Sequence, residues 1–133
     1  MTQLPPFHIG MLVFPGMTNL DFAGPLEVLA RMPGAVVHVL GKDRAAVLTD
    51  IGQPVLPGLA LAEAPALDML FVGGGPGATA LMEDADVLDF LRERAPVAQW
   101  ITSVCTGALV LGAAGLLRGY RATTHWTAME VLP

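Results

Sequence analysis

Short apolar runs that end at glycine, proline or the single cysteine alternate along this chain with segments of helical pattern. Runs of this length, apolar at almost every position, are typical of strands buried on both faces of a parallel sheet. Helical segments between them indicate βαβ units, whose right-handed crossovers place helices on both faces. We therefore expect an α/β fold with a flavodoxin-like doubly wound, mostly parallel sheet. The expected strands cover residues 7–14, 35–40, 68–73 and 97–104, with shorter strands joined by turns within 46–62.

Two helices are expected between these strands. The first begins at Thr18 or Asn19, either of which can cap it, and Pro25 is tolerable only near its first turn. The second covers residues 84–94, where Asp84 is a favourable cap and the apolar positions share one face.

The region after the last long strand carries a helix of small residues that follows Cys105 and ends at Gly115 or Gly119. Residues 121–124 are expected to form a further short strand, and a new helix begins after Trp126. A doubly wound domain would normally continue beyond such a helix. We therefore expect one domain over the whole chain, truncated at its carboxyl terminus.

Composition narrows the class of protein. Apolar residues make up 53% of the chain and charged residues 14%, which is enough to bury a core and argues against disorder. A net charge of −5, without a run of Lys or Arg, argues against a nucleic-acid partner for this segment. No apolar stretch reaches the ~18 residues of a membrane span, so no membrane partner is expected. The amino terminus lacks a secretory signal and the single cysteine excludes an internal disulfide, which favours a cytoplasmic protein.

Cys105 is the first candidate catalytic residue. It follows the run 97–104 directly and precedes a helix, in the sequence Ser-Val-Cys-Thr-Gly, which resembles a nucleophile elbow with cysteine as the nucleophile. A sharp turn there exposes the sulfur at the carboxyl edge of the sheet, where open parallel sheets bind their ligands. The partial positive charge of the helix terminus favours the thiolate. The alternative interpretation is a buried structural cysteine.

Asp21 is the second candidate, because it follows the first strand and lies at the start of the first helix. Both strands are expected to end at the same edge of the sheet. The functional interpretation is a general acid and base beside the Cys105 sulfur. The alternative is an acid that only stabilises the helix dipole.

A glycine run, residues 73–77, follows the third long strand. Gly73, Gly75 and Ala78 fit a dinucleotide-binding pattern, but the loop is not the first βα turn and the next strand ends without a ribose-binding acid. No Gly-Lys-Ser/Thr follows, so a phosphate loop is also rejected. We expect the N–H groups of Gly74 and Gly75 to bind the substrate and stabilise negative charge on it. A plain tight turn is the alternative.

The three histidines give weaker signals. His8 and His38 lie within apolar strands and are expected in the core or at an edge. His125 lies downstream of Cys105 and is a possible catalytic base, although sequence spacing does not establish contact. One cysteine and three scattered histidines do not form a zinc site, so no metal is expected.

Three segments carry a resemblance to a known family. FPGMTNLDFAGPLEVLA, LDMLFVGGGPGATALMED and TSVCTGALVLGAAGLLRGYRATTHW together resemble the ThiJ/PfpI superfamily of the class-I glutamine amidotransferase-like fold, and within it the isonitrile hydratases. The resemblance implies that Cys105 is the nucleophile, that Asp21 assists it and that Thr106 helps to position groups in the site. It also implies a homodimer without metal or organic cofactor, a small-molecule isonitrile as substrate, and a family domain that runs past Pro133.

The implied reaction is hydration of an isonitrile to an N-substituted formamide through a thioimidate on Cys105. Protease-like relatives often carry histidine where this chain has Thr106, so peptidase activity is not expected. Some AraC-type transcription regulators carry a similar domain that senses a ligand ahead of a helix-turn-helix segment, and this is the leading alternative. A third hypothesis is a glyoxalase- or chaperone-like stress protein, but those relatives usually carry Glu at the position of Asp21.

Overall fold

The computed structural model describes residues 4–132. Its main sheet has five strands, all paired in parallel, in the order β5-β2-β1-β6-β7. These strands are β1 (Phe7–Leu12), β2 (Ala35–Gly41), β5 (Leu59–Ala60), β6 (Met69–Val72) and β7 (Trp100–Ser103). The expected α/β fold with a mostly parallel sheet is confirmed.

Two further strands, β3 (Val47–Leu48) and β4 (Pro54–Val55), form a separate antiparallel hairpin. Both lie within the region where short strands were expected. The hairpin contacts the loop after β1, because Gly16 N–H donates to the Leu48 carbonyl at 2.8 Å.

Residues 4–132 contain four α-helices: α1 (Asn19–Leu29), α2 (Ala78–Leu81) and α3 (Ala85–Arg94) lie between strands, and α4 (Gly107–Ala113) follows β7. Three 3₁₀ turns cover Leu61–Glu63, Ala95–Val97 and Trp126–Val131. None of the helices in the described part of the chain is long and apolar enough to cross a membrane.

The core has two parts that lie on opposite faces of the sheet. Ile9 and Met11 of β1 are fully buried in a small cluster with Phe71, against which α1 packs. Leu12, which points to the other face, belongs to the larger cluster that includes the buried sides of α3 and α4. Helices therefore cover both faces, as the crossover rule predicts.

The order of the strands places a crevice beside β1. The chain leaves β1 through α1 towards β2 on one side, and later returns to add β6 and β7 on the other side. Where the order reverses, the loops at the carboxyl ends of neighbouring strands separate and leave room for a ligand. The loops after β1, β6 and β7 meet at this point.

Both predicted helix starts are found, and two details of α1 need correction. The Asp84 side chain caps α3 by accepting hydrogen bonds from the N–H groups of Asp86 and Val87, as predicted. Thr18 occupies the cap position of α1 but makes no side-chain cap bond. Pro25 lies well inside α1 rather than near its first turn, so that expectation was wrong. Proline has no N–H, so the Asp21 carbonyl loses its usual helical donor.

Three other expectations near the end of the chain need correction. Residues 121–124 form no strand, and the segment after Trp126 is a 3₁₀ turn rather than an α-helix. The strand expected at 97–104 covers only Trp100–Ser103, because a 3₁₀ turn at Ala95–Val97 precedes it. By contrast, the prediction that Gly115 ends the helix after Cys105 is confirmed, because α4 is capped at Ala114 and Gly115 follows with a φ of +80°, the left-handed position that closes a helix.

Candidate active site

Three loops meet at the carboxyl edge of the sheet and are tied together by backbone hydrogen bonds. Thr18 N–H donates to the Gly74 carbonyl at 2.9 Å, and Gly77 N–H donates to the Gly16 carbonyl at 2.9 Å. These bonds join the loop after β1 to the glycine run after β6. The loop after β7, which carries Cys105, packs against the same glycine run.

Cys105 lies in the short turn between β7 and α4. Its φ of +51° makes it the one non-glycine residue with positive φ in the described part of the chain. This conformation costs an L-residue roughly 1–2 kcal/mol, so the surrounding contacts must enforce it. Gly107 is needed beside it, because a Cβ there would lie 2.1 Å from the Val72 carbonyl oxygen. The thiol is free and half-buried, at the strand–turn–helix junction that the sequence predicts.

Asp21 lies in the first turn of α1 and is half-buried. Its carboxylate oxygen Oδ2 accepts a hydrogen bond from the Gly74 N–H at 3.1 Å. Its Cβ lies close to Gly73, where an added Cβ would be 3.2 Å away. The side chain is therefore directed to the glycine run and not to bulk solvent.

Gly74 contacts both candidate catalytic residues. While its N–H holds the Asp21 carboxylate, a Cβ on Gly74 would lie 2.9 Å from the Cys105 Cβ and 2.5 Å from Thr106 N. Only glycine permits this approach of the two loops. Cys105 and Asp21 are 84 positions apart in sequence (105 − 21), and in the fold both contact Gly74. None of the described residues forms a hydrogen bond with the Cys105 sulfur.

Gly75 is held by Thr106. The Gly75 N–H donates to the Thr106 hydroxyl oxygen at 3.0 Å, and its φ of +123° is accessible to glycine. The two N–H groups expected to bind the substrate are therefore engaged by Asp21 and Thr106, and a substrate atom would have to replace these acceptors. Their role in substrate binding stays a prediction. By contrast, the Thr106 N–H donates to no acceptor among residues 4–132.

Thr124 is a site residue that the sequence did not indicate. Its hydroxyl donates to the Cys105 carbonyl oxygen at 3.0 Å, which connects the irregular segment before the last 3₁₀ turn to the thiol-bearing turn. No periodicity or motif marks such a contact.

His125, next to Thr124, makes its hydrogen bonds within its own turn. Its Nδ1 lies 2.7 Å from the Thr127 hydroxyl and accepts from the Thr127 N–H at 3.3 Å. The structure therefore does not bring the imidazole into a hydrogen bond with Cys105. Within residues 4–132, no three side chains of His, Cys, Asp or Glu converge as a metal site would require.

The other two histidines form a pair away from this edge. His8 Nδ1 and His38 Nε2, on neighbouring strands, are 2.9 Å apart and their rings are nearly parallel. Burial and the neighbouring His8 lower the pKa of His38 below its ordinary value of 6.5. The prediction that both lie within strands of the sheet is confirmed.

The fold and the cysteine turn are those of a known family. The DJ-1/PfpI family model matches residues 8–132, and the chain belongs to this family. It is 49% identical to isonitrile hydratase from Pseudomonas putida over 95% of this chain and 55% of that protein. It is 40% identical to a crystal structure of a ThiJ/PfpI family protein from Pseudomonas syringae, with a TM-score of 0.93 over 97% of this chain and 54% of that one.

The chain is also similar to a transcription regulator. The HTH-type transcriptional regulator GbdR from Pseudomonas aeruginosa is 30% identical over 96% of this chain and 36% of the regulator. The chain thus spans about half the length of the hydratase and about a third of the regulator.

Proposed function

We propose that this chain hydrates isonitriles to N-substituted formamides, with Cys105 as the nucleophile and Asp21 as the acid and base. The observation that carries the proposal is the contact of Gly74 with both groups, through a 3.1 Å hydrogen bond to Asp21 and close packing on Cys105. The 49% identity with an isonitrile hydratase supports the choice of substrate class.

The first step forms a bond between the Cys105 sulfur and the terminal carbon of R–N≡C. The thiol proton passes to the Asp21 carboxylate and from there to the same carbon, which gives a neutral thioimidate, R–N=CH–S–Cys105. A positioned proton carrier of this kind typically contributes about 10²–10⁴-fold to the rate. A covalent intermediate divides one difficult hydration into easier additions.

In the second step, water adds to the thioimidate carbon and one of its protons reaches the nitrogen through Asp21. The tetrahedral adduct R–NH–CH(OH)–S then loses its hydroxyl proton to Asp21 while the C–S bond breaks. R–NH–CHO leaves, and the proton returns to the Cys105 sulfur. During this collapse the oxygen carries developing negative charge. The Thr106 N–H, which has no acceptor among the described residues, is the matching donor, because the residue after the nucleophile supplies this N–H in other elbow enzymes.

The Thr106 side chain supports the proposed site by holding the glycine run. Its hydroxyl accepts from the Gly75 N–H at 3.0 Å and so fixes the glycine run against the cysteine turn. A threonine hydroxyl does not act as a base at neutral pH, so Thr106 cannot replace the histidine that activates a protease cysteine. We therefore assign Thr106 a positioning role and not peptidase chemistry.

The test is to incubate the chain with cyclohexyl isocyanide and to measure N-cyclohexylformamide by chromatography. Cys105→Ala should abolish product formation, and Asp21→Asn should keep the fold but lose most of the turnover. Asp89→Asn is the matched control, because this exposed acid lies on α3, away from the site. Product formation that persists in Cys105→Ala would refute the mechanism. Normal turnover by Asp21→Asn would show that Asp21 has no catalytic role and only stabilises the helix.

A ligand-sensing domain of a transcription regulator is the second candidate, favoured by the similarity to GbdR over 96% of this chain. A sensor needs to bind a small molecule but not to convert it. Isothermal titration with cyclohexyl isocyanide, followed by analysis of the recovered ligand, separates the two candidates. Saturable binding with unchanged ligand recovered would favour the sensor, and formamide would favour the enzyme.

We also propose that the protein acts as a homodimer. An open apolar groove runs between α1 and the end of β7, lined by Pro25, Val28, Phe71 and Val104 among others. Val28 is 67% exposed, and a contiguous apolar surface of this kind favours association. Sedimentation equilibrium of the unmodified chain and of Val28→Glu tests the proposal, which fails if both are monomers.

A further inference from the structure

We propose that Thr124 is a positioning residue that aligns the Thr106 N–H for catalysis by holding the Cys105 carbonyl. This inference rests on the proposed role of Cys105 as the nucleophile, and it goes beyond it by assigning a function to the segment after α4. The observation is the hydrogen bond from the Thr124 hydroxyl to the Cys105 carbonyl oxygen, 3.0 Å long.

The Cys105 carbonyl needs this donor because of its place in the turn. α4 begins at Gly107, whose N–H donates to the Val104 carbonyl at 2.9 Å, and the Leu109 N–H donates to the Thr106 carbonyl at 3.0 Å. The Cys105 carbonyl therefore lies outside the helical ladder. Thr124, 19 positions further along the chain, supplies the donor that the helix does not.

Holding this carbonyl also fixes the donor on the other side of the same peptide unit. The peptide bond between Cys105 and Thr106 is trans and planar, so its C=O and N–H point in opposite directions. A hydroxyl that fixes the direction of the carbonyl therefore fixes the direction of the Thr106 N–H. That N–H belongs to the nitrogen that lies against Gly74, beside the Cys105 Cβ.

The Thr124 hydroxyl restrains the strained backbone of Cys105 together with the Gly107 N–H, which closes the turn on the Val104 carbonyl. A non-glycine residue at φ +51° tends to relax towards negative φ, and such relaxation would rotate the peptide unit that follows it. Preorganised donors stabilise developing charge only if they do not have to reorient during the reaction. Without the Thr124 hydroxyl, we expect the thiol to remain available while the N–H loses its alignment.

Two reagents distinguish the alignment of this donor from the availability of the thiol. p-Nitrophenyl acetate acetylates a thiolate: the C–S bond forms through a tetrahedral oxyanion, and the C–O bond breaks to release p-nitrophenolate. Iodoacetamide alkylates the same sulfur by displacing iodide, and no oxyanion forms. Because Cys105 is the only cysteine in the chain, both rates report on this residue, with Cys105→Ala as the background.

Thr124→Val and Thr124→Ala should lower the acetylation rate about 10-fold or more relative to the alkylation rate, because misplaced donors and reacting groups typically cost about 10²-fold. Thr124→Ser, which keeps the hydroxyl, should retain the ratio of the two rates. Thr123→Val is the matched control, because Thr123 is the exposed neighbour of Thr124. Circular dichroism confirms folding of each variant, and the Ala variant serves if the Val variant does not fold.

An unchanged ratio in the two variants without the hydroxyl would overturn the proposal. Equal losses of both rates would also overturn it, because they would mean that Thr124 controls exposure of the thiol. The result is separable from the proposed function. A chain that fails to hydrate isonitriles but shows the selective loss of acetylation would refute the substrate and keep the role of Thr124.

Discussion

Replacement of Gly74 by alanine tests whether the close approach of two loops creates the site. The added Cβ would lie 2.5 Å from both the nitrogen and the hydroxyl oxygen of Thr106, and 2.9 Å from the Cys105 Cβ. Ordinary contact begins near 3.4 Å, so the Cys105 turn must move by about 0.9 Å (3.4 − 2.5). Two of these three neighbours belong to the strained turn or its backbone and cannot rotate away.

This displacement should lower both the free energy of unfolding and the turnover. Overpacking of this kind typically lowers the free energy of unfolding by about 1–3 kcal/mol. A shift of about 1 Å between reacting groups typically lowers turnover by about 10²-fold. We expect both effects in Gly74→Ala, because the same movement separates Asp21 from Cys105.

Urea unfolding and formamide production measure the two effects. Gly112→Ala is the matched control, because Gly112 lies in α4 and an added Cβ would meet, outside the backbone of its own helix, only Leu117 Cδ1 at 3.6 Å. Because alanine favours the helical conformation more than glycine does, Gly112→Ala should raise the free energy of unfolding by up to about 1 kcal/mol and leave turnover unchanged. Wild-type turnover in Gly74→Ala would show that the close approach is not what assembles the site.

Two further predictions concern stability. Because the pKa of His38 is lowered in the folded state, the unfolded chain binds more protons below pH 6.5, so the free energy of unfolding should fall as the pH decreases from 7.5 to 5.5. Urea unfolding should show a weaker pH dependence for His38→Gln, and an identical dependence would contradict the assignment. Asp84→Ala should lower the free energy of unfolding by about 1 kcal/mol by removing two cap hydrogen bonds, whereas Asp89→Ala should change it by less than about 0.5 kcal/mol. Equal losses in those two variants would exclude a capping role.

The sequence by itself determined the architecture and the position of the thiol. Apolar runs closed by glycine predicted the strands, and the junction at Cys105 predicted a turn between β7 and α4. These features depend on hydrophobic periodicity and on backbone preferences of neighbouring residues, which are local properties. The cap of α3 at Asp84 was predictable for the same reason.

Two predictions made from local sequence were wrong for the same reason. Pro25 was expected near the first turn of α1, yet it lies inside the helix, where the neighbouring sheet packs against α1. Residues 121–124 have the composition of a short strand but no adjacent strand to pair with. Tertiary packing can outweigh intrinsic preferences, which span about 1 kcal/mol for strand residues and reach about 3 kcal/mol for a proline inside a helix.

Only the tertiary structure decided which groups meet in the site. Asp21 and Gly74 are 53 positions apart, Gly75 and Thr106 are 31 apart, and Thr124 reaches back 19 positions to Cys105. Whether such residues meet depends on the order of the strands, because that order decides which loops share the crevice beside β1. A hydrogen bond of this range leaves no periodic signal in the chain, and so the partners of the two glycine N–H groups became visible only in the folded molecule.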